Sequence, residues 1–163
     1  MIRYIFYKTK KLATISAMAH VDEKWSEAQR KVAEWLRSKG LVIKHAGEFG
    51  DFNLCTPKMT RIRVRRAAYK QIEYEQEPRG WKVSLTNGGV MNQRNIDFFV
   101  LFLEVSDDLK VIGITRPLYV VIPSPMKQTV VTITTRHLLS QKWKTCLDNW
   151  QVIAEFDEKK PVA

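Results

Sequence analysis

The feature that most constrains the fold is a near-continuous apolar run, IDFFVLFLEV, at residues 96–105. Neighbouring side chains of a strand point to opposite faces of a sheet, so a strand that is apolar at successive positions has both faces buried. The run is also far shorter than the roughly 18 apolar residues that suggest a membrane-spanning helix. It therefore predicts a central strand that is covered by other structure on both sides.

The elements around this run predict a single domain of the α/β or α+β class, because strands follow one helix and precede another. A first helix is expected at 22–39, with Asp22 as its cap and Gly40 as its stop. We interpret 1–21 as an extension, 22–156 as the domain and 157–163 as a C-terminal tail. Strands are expected at 41–46, 52–56, 61–67, 81–86, 109–115, 118–123 and 129–135, an exposed loop at 72–80, and a closing amphipathic helix at 138–156.

A second pattern alternates strictly, as Arg61-Ile62-Arg63-Val64-Arg65. In a strand the three arginines share one face, and Ile62 and Val64 point the other way into a core. An unpaired charge is very costly to bury in hydrocarbon. The arginine face is therefore expected to meet carboxylates, water or an anionic ligand.

The charge balance favours an anionic ligand over plain solubility. The chain has 27 Lys and Arg against 17 Asp and Glu, a net charge of +10. Such a charge draws a protein towards polyanions, nucleic acid first and acidic membranes second. The charge is also clustered, since 52–72 contains no acidic residue. The basic residues of this region are Lys58, Arg61, Arg63, Arg65, Arg66 and Lys70.

Other residue types narrow the possibilities further. Cys55 and Cys146 have no metal-ligand partners nearby in the sequence, which predicts small buried side chains in a reducing compartment rather than a zinc site. The N-terminus carries charges within its apolar run, unlike a signal peptide. We therefore expect a soluble cytoplasmic protein.

Four tryptophans occur at helical spacing, which predicts that they lie in the core and do not stack on bases. They are Trp25, Trp35, Trp143 and Trp150.

Six local sequences occur in a characteristic order: Lys39-Gly40, Asp51, Ile62-Arg63-Val64-Arg65-Arg66-Ala67, Asp97-Phe98-Phe99, Tyr119-Val120-Val121-Ile122-Pro123 and Asp148-Asn149-Trp150. Together they resemble the PD-(D/E)XK nucleases of restriction-endonuclease-like fold, in particular small intron-encoded homing endonucleases. The resemblance spans 22–153. It implies an α/β domain with a mixed central β-sheet flanked by helices, DNA as the partner, and a homodimer or homotetramer.

Nucleases of this family hold Mg²⁺ on carboxylates and use a lysine to position the attacking water. The resemblance places Asp51 at the first metal carboxylate, Arg63 at the second acid or amide, and Arg65 at the lysine. Residues two apart on a strand lie about 6.6 Å from each other, so an arginine there repels a dication. Arg65 also stays charged and cannot act as a general base. The resemblance thus implies a degenerate metal site.

The family's helix carries a further acid, for which the candidates are Glu27 and Gln29. At about 100° per residue, Glu27 lies nearly opposite the apolar face of 32–36, and Gln29 lies at its margin. An active site would require a lysine or an acid that has moved to another element. The candidates for that role are Lys82, Lys70, Glu73 and Glu75.

The function we expect is DNA binding without a cofactor, by a nuclease-like fold whose phosphate contacts come from Lys58, Arg61, Arg63, Arg65, Arg66 and Lys70. One alternative is an active Mg²⁺-dependent endonuclease that uses Asp51 and Lys82. Another is an assembly module whose basic face binds an acidic protein. An arginine face neutralised within the chain by Glu73, Glu75 or Glu77 is the remaining interpretation.

Overall fold

The computed structural model describes residues 26–46, 51–70, 79–86, 93–138 and 140–162. The backbone of Lys70 is described, but its side chain is not. The expected extension at 1–21 and most of the expected loop at 72–80 lie outside the described residues. So do Asp22, Trp25, Glu73, Glu75 and Glu77.

The first helix of the described residues, α1, spans Glu27–Ser38 and begins with a capping box. Ser26 Oγ accepts a hydrogen bond from the Gln29 amide, and Gln29 Oε1 accepts one from the Ser26 amide. These two bonds satisfy amides that the start of a helix would otherwise leave exposed. The expected start at Asp22 was therefore wrong, because Ser26 is the N-cap. The expected stop is confirmed, since Gly40 has a φ of 90°.

Within the described part of the chain, eight strands form two sheets. They are β1 (Lys44–His45), β2 (Leu54–Cys55), β3 (Arg61–Ala67), β4 (Tyr69–Lys70), β5 (Gly80–Ser84), β6 (Phe98–Leu103), β7 (Leu118–Pro123) and β8 (Val130–Thr134). The larger sheet has five strands in the order β1-β2-β3-β6-β7. Because β3 and β6 run parallel and the other pairs antiparallel, this sheet is mixed, as expected. All six residues of β6 are buried, which confirms the central strand.

The smaller sheet, ordered β4-β5-β8, shares a core with one face of the larger sheet. Trp81 on β5 is fully buried in this core, and its Nε1 donates to the Glu104 carbonyl at 2.8 Å. Gly80 is the first residue of β5, and the backbone of β8 lies very close to it. A Cβ at position 80 would lie 2.3 Å from the Ile133 carbonyl oxygen, so a larger residue would push the two strands apart.

The opposite face of the larger sheet is covered by helices. Val32 and Leu36 of α1 share a second core with Ile62 and Val64 of β3. Ile153, from the C-terminal helix, completes that core. The domain therefore has α/β architecture, with the mixed central sheet between a helical layer and a smaller sheet.

The strand expected at 109–115 is wrong, because α2 occupies Asp107–Val111. Asp107 lies in the first turn, and its carboxylate accepts from Lys110 Nζ at 2.8 Å. Leu109 is fully buried, whereas Val111 is 88% exposed. A strand would have required alternating burial, and this segment instead anchors one apolar side chain in a short helix.

The single closing helix expected at 138–156 is also wrong. The chain forms two short helices, α3 (Thr135–Leu138) and α4 (Gln141–Lys144), and then α5 (Gln151–Lys159). Asp148, between α4 and α5, has a φ of 52°, which is incompatible with a continuous right-handed helix. The last helix also extends beyond residue 156, into the expected tail. Within the described residues, no helix is long and apolar enough to cross a membrane.

Candidate functional site

The strand β3 has the phase that its alternation predicts. Ile62 and Val64 are 0% and 6% exposed and lie in the core beneath α1. Arg63 and Arg65 pair in register with Phe99 and Leu101 of β6, whose side chains belong to the opposite core. The odd-numbered arginines of β3 therefore share the face of the larger sheet that borders the smaller sheet.

Arg61, at the start of this face, is held by Asp97. Arg61 Nη2 lies 3.1 Å from Asp97 Oδ1, and the Arg61 amide donates to Oδ2 at 2.8 Å. Lys160 Nζ also donates to Oδ2, at 3.0 Å. Burial raises the pKa of Asp97, but the hydrogen bonds from Arg61 and Lys160 outweigh it and leave that pKa below its ordinary value. Arg61 is thus largely neutralised within the chain.

Arg66 lies on the other face of β3 and is exposed. Its guanidinium forms an ion pair with Glu104, in which Nε donates to Oε1 at 2.6 Å. Hydrogen bonding and the charge of Glu104 raise the pKa of Arg66. Among the described residues, the carboxylates beside the outer arginines are therefore Asp97 and Glu104. The glutamates at 73–77 that the sequence suggested lie outside the described residues.

Arg63 and Arg65 occupy the middle of the face and are more buried. Arg63 is only 8% exposed, and burial lowers its pKa while the nearby charge of Asp51 opposes that shift. Arg65 Nη2 donates to the Leu85 carbonyl at 3.2 Å. Arg65 Nε is buried and has no hydrogen-bond partner among the described residues. Burial, and then the positive charge of Arg63, lower the pKa of Arg65.

The structure brings Asp51 within electrostatic range of Arg63. Asp51 is half-buried, and its Oδ2 accepts from Asn95 Nδ2 at 2.8 Å. Asn95 ends a 3₁₀ turn, Gln93–Asn95, just before β6. The sequence offered no signal for Asn95, because its contact depends on how the start of β6 packs beside β3. We define the Arg63–Arg65 site as Arg63, Arg65, Asp51 and Asn95.

The other catalytic candidates lie on separate elements. Glu27 is exposed in the first turn of α1, and Gln29 is half-buried at the margin of its apolar face, as the helical spacing predicts. Gln29 Oε1 also lies 3.3 Å from His45 Nε2. Lys82 is exposed on β5 between Trp81 and Val83, which are both buried in the core, so it points away from that core.

The remaining basic candidates lie near the ends of β3. Lys58 Nζ donates to the Glu158 carbonyl at 3.2 Å, and this bond joins the β2–β3 turn to α5. The same junction holds Asp157, whose Oδ1 accepts from the hydroxyls of Thr56 and Thr60. Lys70 lies on β4, where it pairs with Gly80. Asp157 was missed because it falls in the segment interpreted as a tail.

The described residues contain no group of three or more His, Cys, Asp or Glu side chains that could hold a metal ion. At the Arg63–Arg65 site only Asp51 is an acid, and it lies within electrostatic range of the Arg63 guanidinium. The two guanidiniums suit an anion better than a divalent cation, because they are positively charged hydrogen-bond donors with no acceptor.

No protein-family model matches this chain, and the comparisons with curated proteins and with solved structures give no match either.

Proposed function

We propose that this protein binds DNA through phosphate contacts, on a PD-(D/E)XK-like domain whose metal site is degenerate. The observation that carries the proposal is the half-buried Arg65 guanidinium. Its Nε lacks a hydrogen-bond partner among the described residues, and the charge of Arg63 lies beside it. A phosphate at the solvent-accessible part of the Arg65 side chain would offset the repulsion between the two guanidiniums.

The chemistry of arginine supports phosphate as the ligand. A guanidinium presents a planar fork of donors that grips a phosphate with two parallel hydrogen bonds. Two such groups on one strand face would give affinity without reading the base sequence, since phosphate contacts position a protein on DNA and base contacts specify the site. The net charge of +10 would add a long-range attraction for the polyanion.

The nuclease-like fold is part of the proposal. It is supported by the mixed sheet, in which β3 and β6 run parallel, and by the position of Asp51 beside Arg63. In this interpretation Arg63 and Arg65 stand where an acid and a lysine would complete a metal site. Both arginines stay charged at neutral pH, so they would repel Mg²⁺ and could not accept a proton from water.

The test is DNA affinity as a function of salt, measured by fluorescence anisotropy on a short duplex. The double variant Arg63→Gln/Arg65→Gln should weaken binding by about one to two orders of magnitude at low salt. The slope of log K against log salt should become shallower by about 2, roughly 0.9 for each lost phosphate contact.

The matched control is Arg79→Gln/Lys110→Gln, which removes the same charge. Both side chains are exposed and form ion pairs, Arg79 with Asp108 and Lys110 with Asp107. The control should keep the salt slope of the unmodified protein. Equal losses in both double variants would show that net charge alone drives binding and would contradict the proposed site.

A cleavage assay on supercoiled plasmid separates the alternatives. Binding without cleavage in Mg²⁺ or Mn²⁺ is the expected result. Cleavage that Asp51→Ala abolishes would instead show an active endonuclease with displaced catalytic residues. If the protein fails to bind DNA even at low salt, the remaining alternative is an assembly module whose basic face binds an acidic protein partner.

A further inference from the structure

A pocket of about 400 Å³ opens on the face of the larger sheet opposite the Arg63–Arg65 site. This size falls within the range of about 300–1,000 Å³ that is usual for small-molecule sites. Three segments far apart in the sequence form it: the end of α1, the start of β7 and the loop before α5. Its lining includes Trp35, Lys39, Arg116, Tyr119, Asp148 and Trp150.

Aromatic rings form one side of this pocket. Trp35 and Tyr119 stack face to face, with ring centroids 4.4 Å apart and an interplanar angle of 2°, so each ring covers one face of the other and keeps one face for further contacts. Trp150 adds a third ring. All three side chains are only partly buried. The expectation that Trp35 and Trp150 are core residues is therefore only half correct, because each also contributes surface to the pocket.

Polar groups of both signs surround the rings. Lys39 and Arg116 are exposed at the pocket, and neither forms an ion pair with another of the described residues. Asp148 is half-buried. The pKa of Tyr119 is raised by burial and then by the negative charges of Asp148 and Glu34. The pocket thus offers two cations for an anionic group and one carboxylate for an N–H donor.

The negative end of the α1 dipole lies at this pocket, but it should repel a bound anion only weakly. The C-terminus of a helix carries partial negative charge on its last carbonyls. Those of Trp35, Leu36 and Arg37 already accept hydrogen bonds, from Ser38 Oγ at 2.6 Å, from the Leu41 amide at 3.2 Å and from the Gly40 amide at 2.9 Å.

We infer that this pocket binds a single nucleotide, with its base against the aromatic side and its phosphate at Lys39 and Arg116. Aromatic side chains hold bases by stacking, which tolerates any base because every base has a π-face. Each of the four DNA bases also carries an N–H donor on its Watson–Crick edge, for which Asp148 supplies the acceptor. Lysine and arginine both bind phosphate through charge-assisted hydrogen bonds.

The nucleotide has two sources, a free mononucleotide or an unstacked base of single-stranded DNA. The inference goes beyond the proposed duplex binding and does not rest on it. The pocket shares no residue with the Arg63–Arg65 site, and the two lie on opposite faces of the larger sheet. Variants of one site therefore leave the other intact.

The experiment is titration with AMP, adenosine and inorganic phosphate, followed by tryptophan fluorescence and by calorimetry. AMP should bind and quench the fluorescence of the pocket, adenosine should bind about tenfold more weakly, and phosphate alone weaker still. Lys39→Gln/Arg116→Gln should lower the affinity for AMP about tenfold and leave that for adenosine unchanged. The control Arg79→Gln/Lys110→Gln should bind AMP as the unmodified protein does.

Trp35→Leu tests the aromatic side and should abolish the binding of both AMP and adenosine. If this variant fails to fold, the charge variant still decides, because Lys39 and Arg116 are exposed. The inference is overturned if AMP does not bind, if phosphate binds as tightly as AMP, or if the charge variant binds AMP normally.

A short single-stranded oligodeoxyadenylate distinguishes the two sources. If the pocket takes a base from a strand, the oligonucleotide should bind more tightly than AMP and lose that advantage in Lys39→Gln/Arg116→Gln. If AMP binds and the oligonucleotide does not, the ligand is a free nucleotide. In both cases the salt slope for duplex DNA should be unchanged in the pocket variant, so this result does not depend on the Arg63–Arg65 site.

Discussion

At the scale of single residues, the arginines of β3 differ in whether a carboxylate forms an ion pair with them. Their spacing in the sequence does not reveal this difference. Arg61 and Arg66 have carboxylate partners, Asp97 and Glu104. Arg65 is half-buried, and burial lowers its pKa. A buried charge without full compensation costs stability, so such a residue is more readily explained by ligand binding than by folding.

This reasoning predicts the behaviour of Arg65→Met. Methionine keeps the length and apolar contacts of the side chain but removes the charge whose burial is unfavourable. The free energy of unfolding, measured by urea denaturation, should stay unchanged or rise by about 1 kcal/mol, while the affinity for duplex DNA falls. A drop in stability of more than about 1 kcal/mol would instead assign Arg65 a structural role through its bond to the Leu85 carbonyl.

At the scale of elements, strands with a clear pattern were predicted closely and the segments between them were not. The predicted bounds of β3 and β7 agree with Arg61–Ala67 and Leu118–Pro123. The segments 109–115 and 138–156 were assigned wrongly. The short apolar run at 109–115 fits either a strand or a helix, and the anchoring of Leu109 decided for a helix. The segment 138–156 is helical as expected but is divided into separate helices, with the positive φ of Asp148 before the last one.

The phase of β3 predicts the effect of Val64→Asp. Val64 is 6% exposed beneath α1, and an aspartate there would bury a charge without a partner. We expect loss of the cooperative thermal transition, measured by circular dichroism. The control is Ser84→Asp, which adds the same charge at an exposed strand position and should melt close to the unmodified protein. A Val64→Asp variant with an unchanged melting temperature would contradict the assigned phase.

At the scale of the whole molecule, Asp97 joins parts of the chain that are far apart. It accepts hydrogen bonds from Arg61 on β3 and from Lys160 just after α5, and it lies directly before β6. Asp157 makes a second link between α5 and the β2–β3 turn, through Thr56 and Thr60. These bonds fasten the C-terminal helix to the central sheet.

The lowered pKa of Asp97 predicts a pH dependence of stability. A carboxyl whose pKa is lower in the folded state stabilises that state above its unfolded pKa of about 3.9. The contribution then fades as the pH falls through the folded pKa. Asp97→Asn should cost about 1–3 kcal/mol at pH 7, and the difference from the unmodified protein should shrink below about pH 4.

The measurement is urea denaturation at a series of pH values. Asp108→Asn is the control, because the Asp108 side chain is 63% exposed in its ion pair with Arg79. That variant should change stability little at any pH, since exposed pairs contribute little. A constant difference between Asp97→Asn and the unmodified protein from pH 7 to pH 3 would show that the Asp97 carboxylate is not the stabilising form.

The sequence by itself determined which residues of β3 face the core and that β6 is buried on both sides. Both follow from the alternation of side chains along a strand, which is a property of the local backbone. Only the tertiary structure decided that Asp97 neutralises Arg61, that Asn95 holds Asp51, and that Trp35, Tyr119 and Asp148 meet in one pocket. Each of these contacts joins residues far apart in the chain. Packing between elements selects such partners, and no local pattern encodes them.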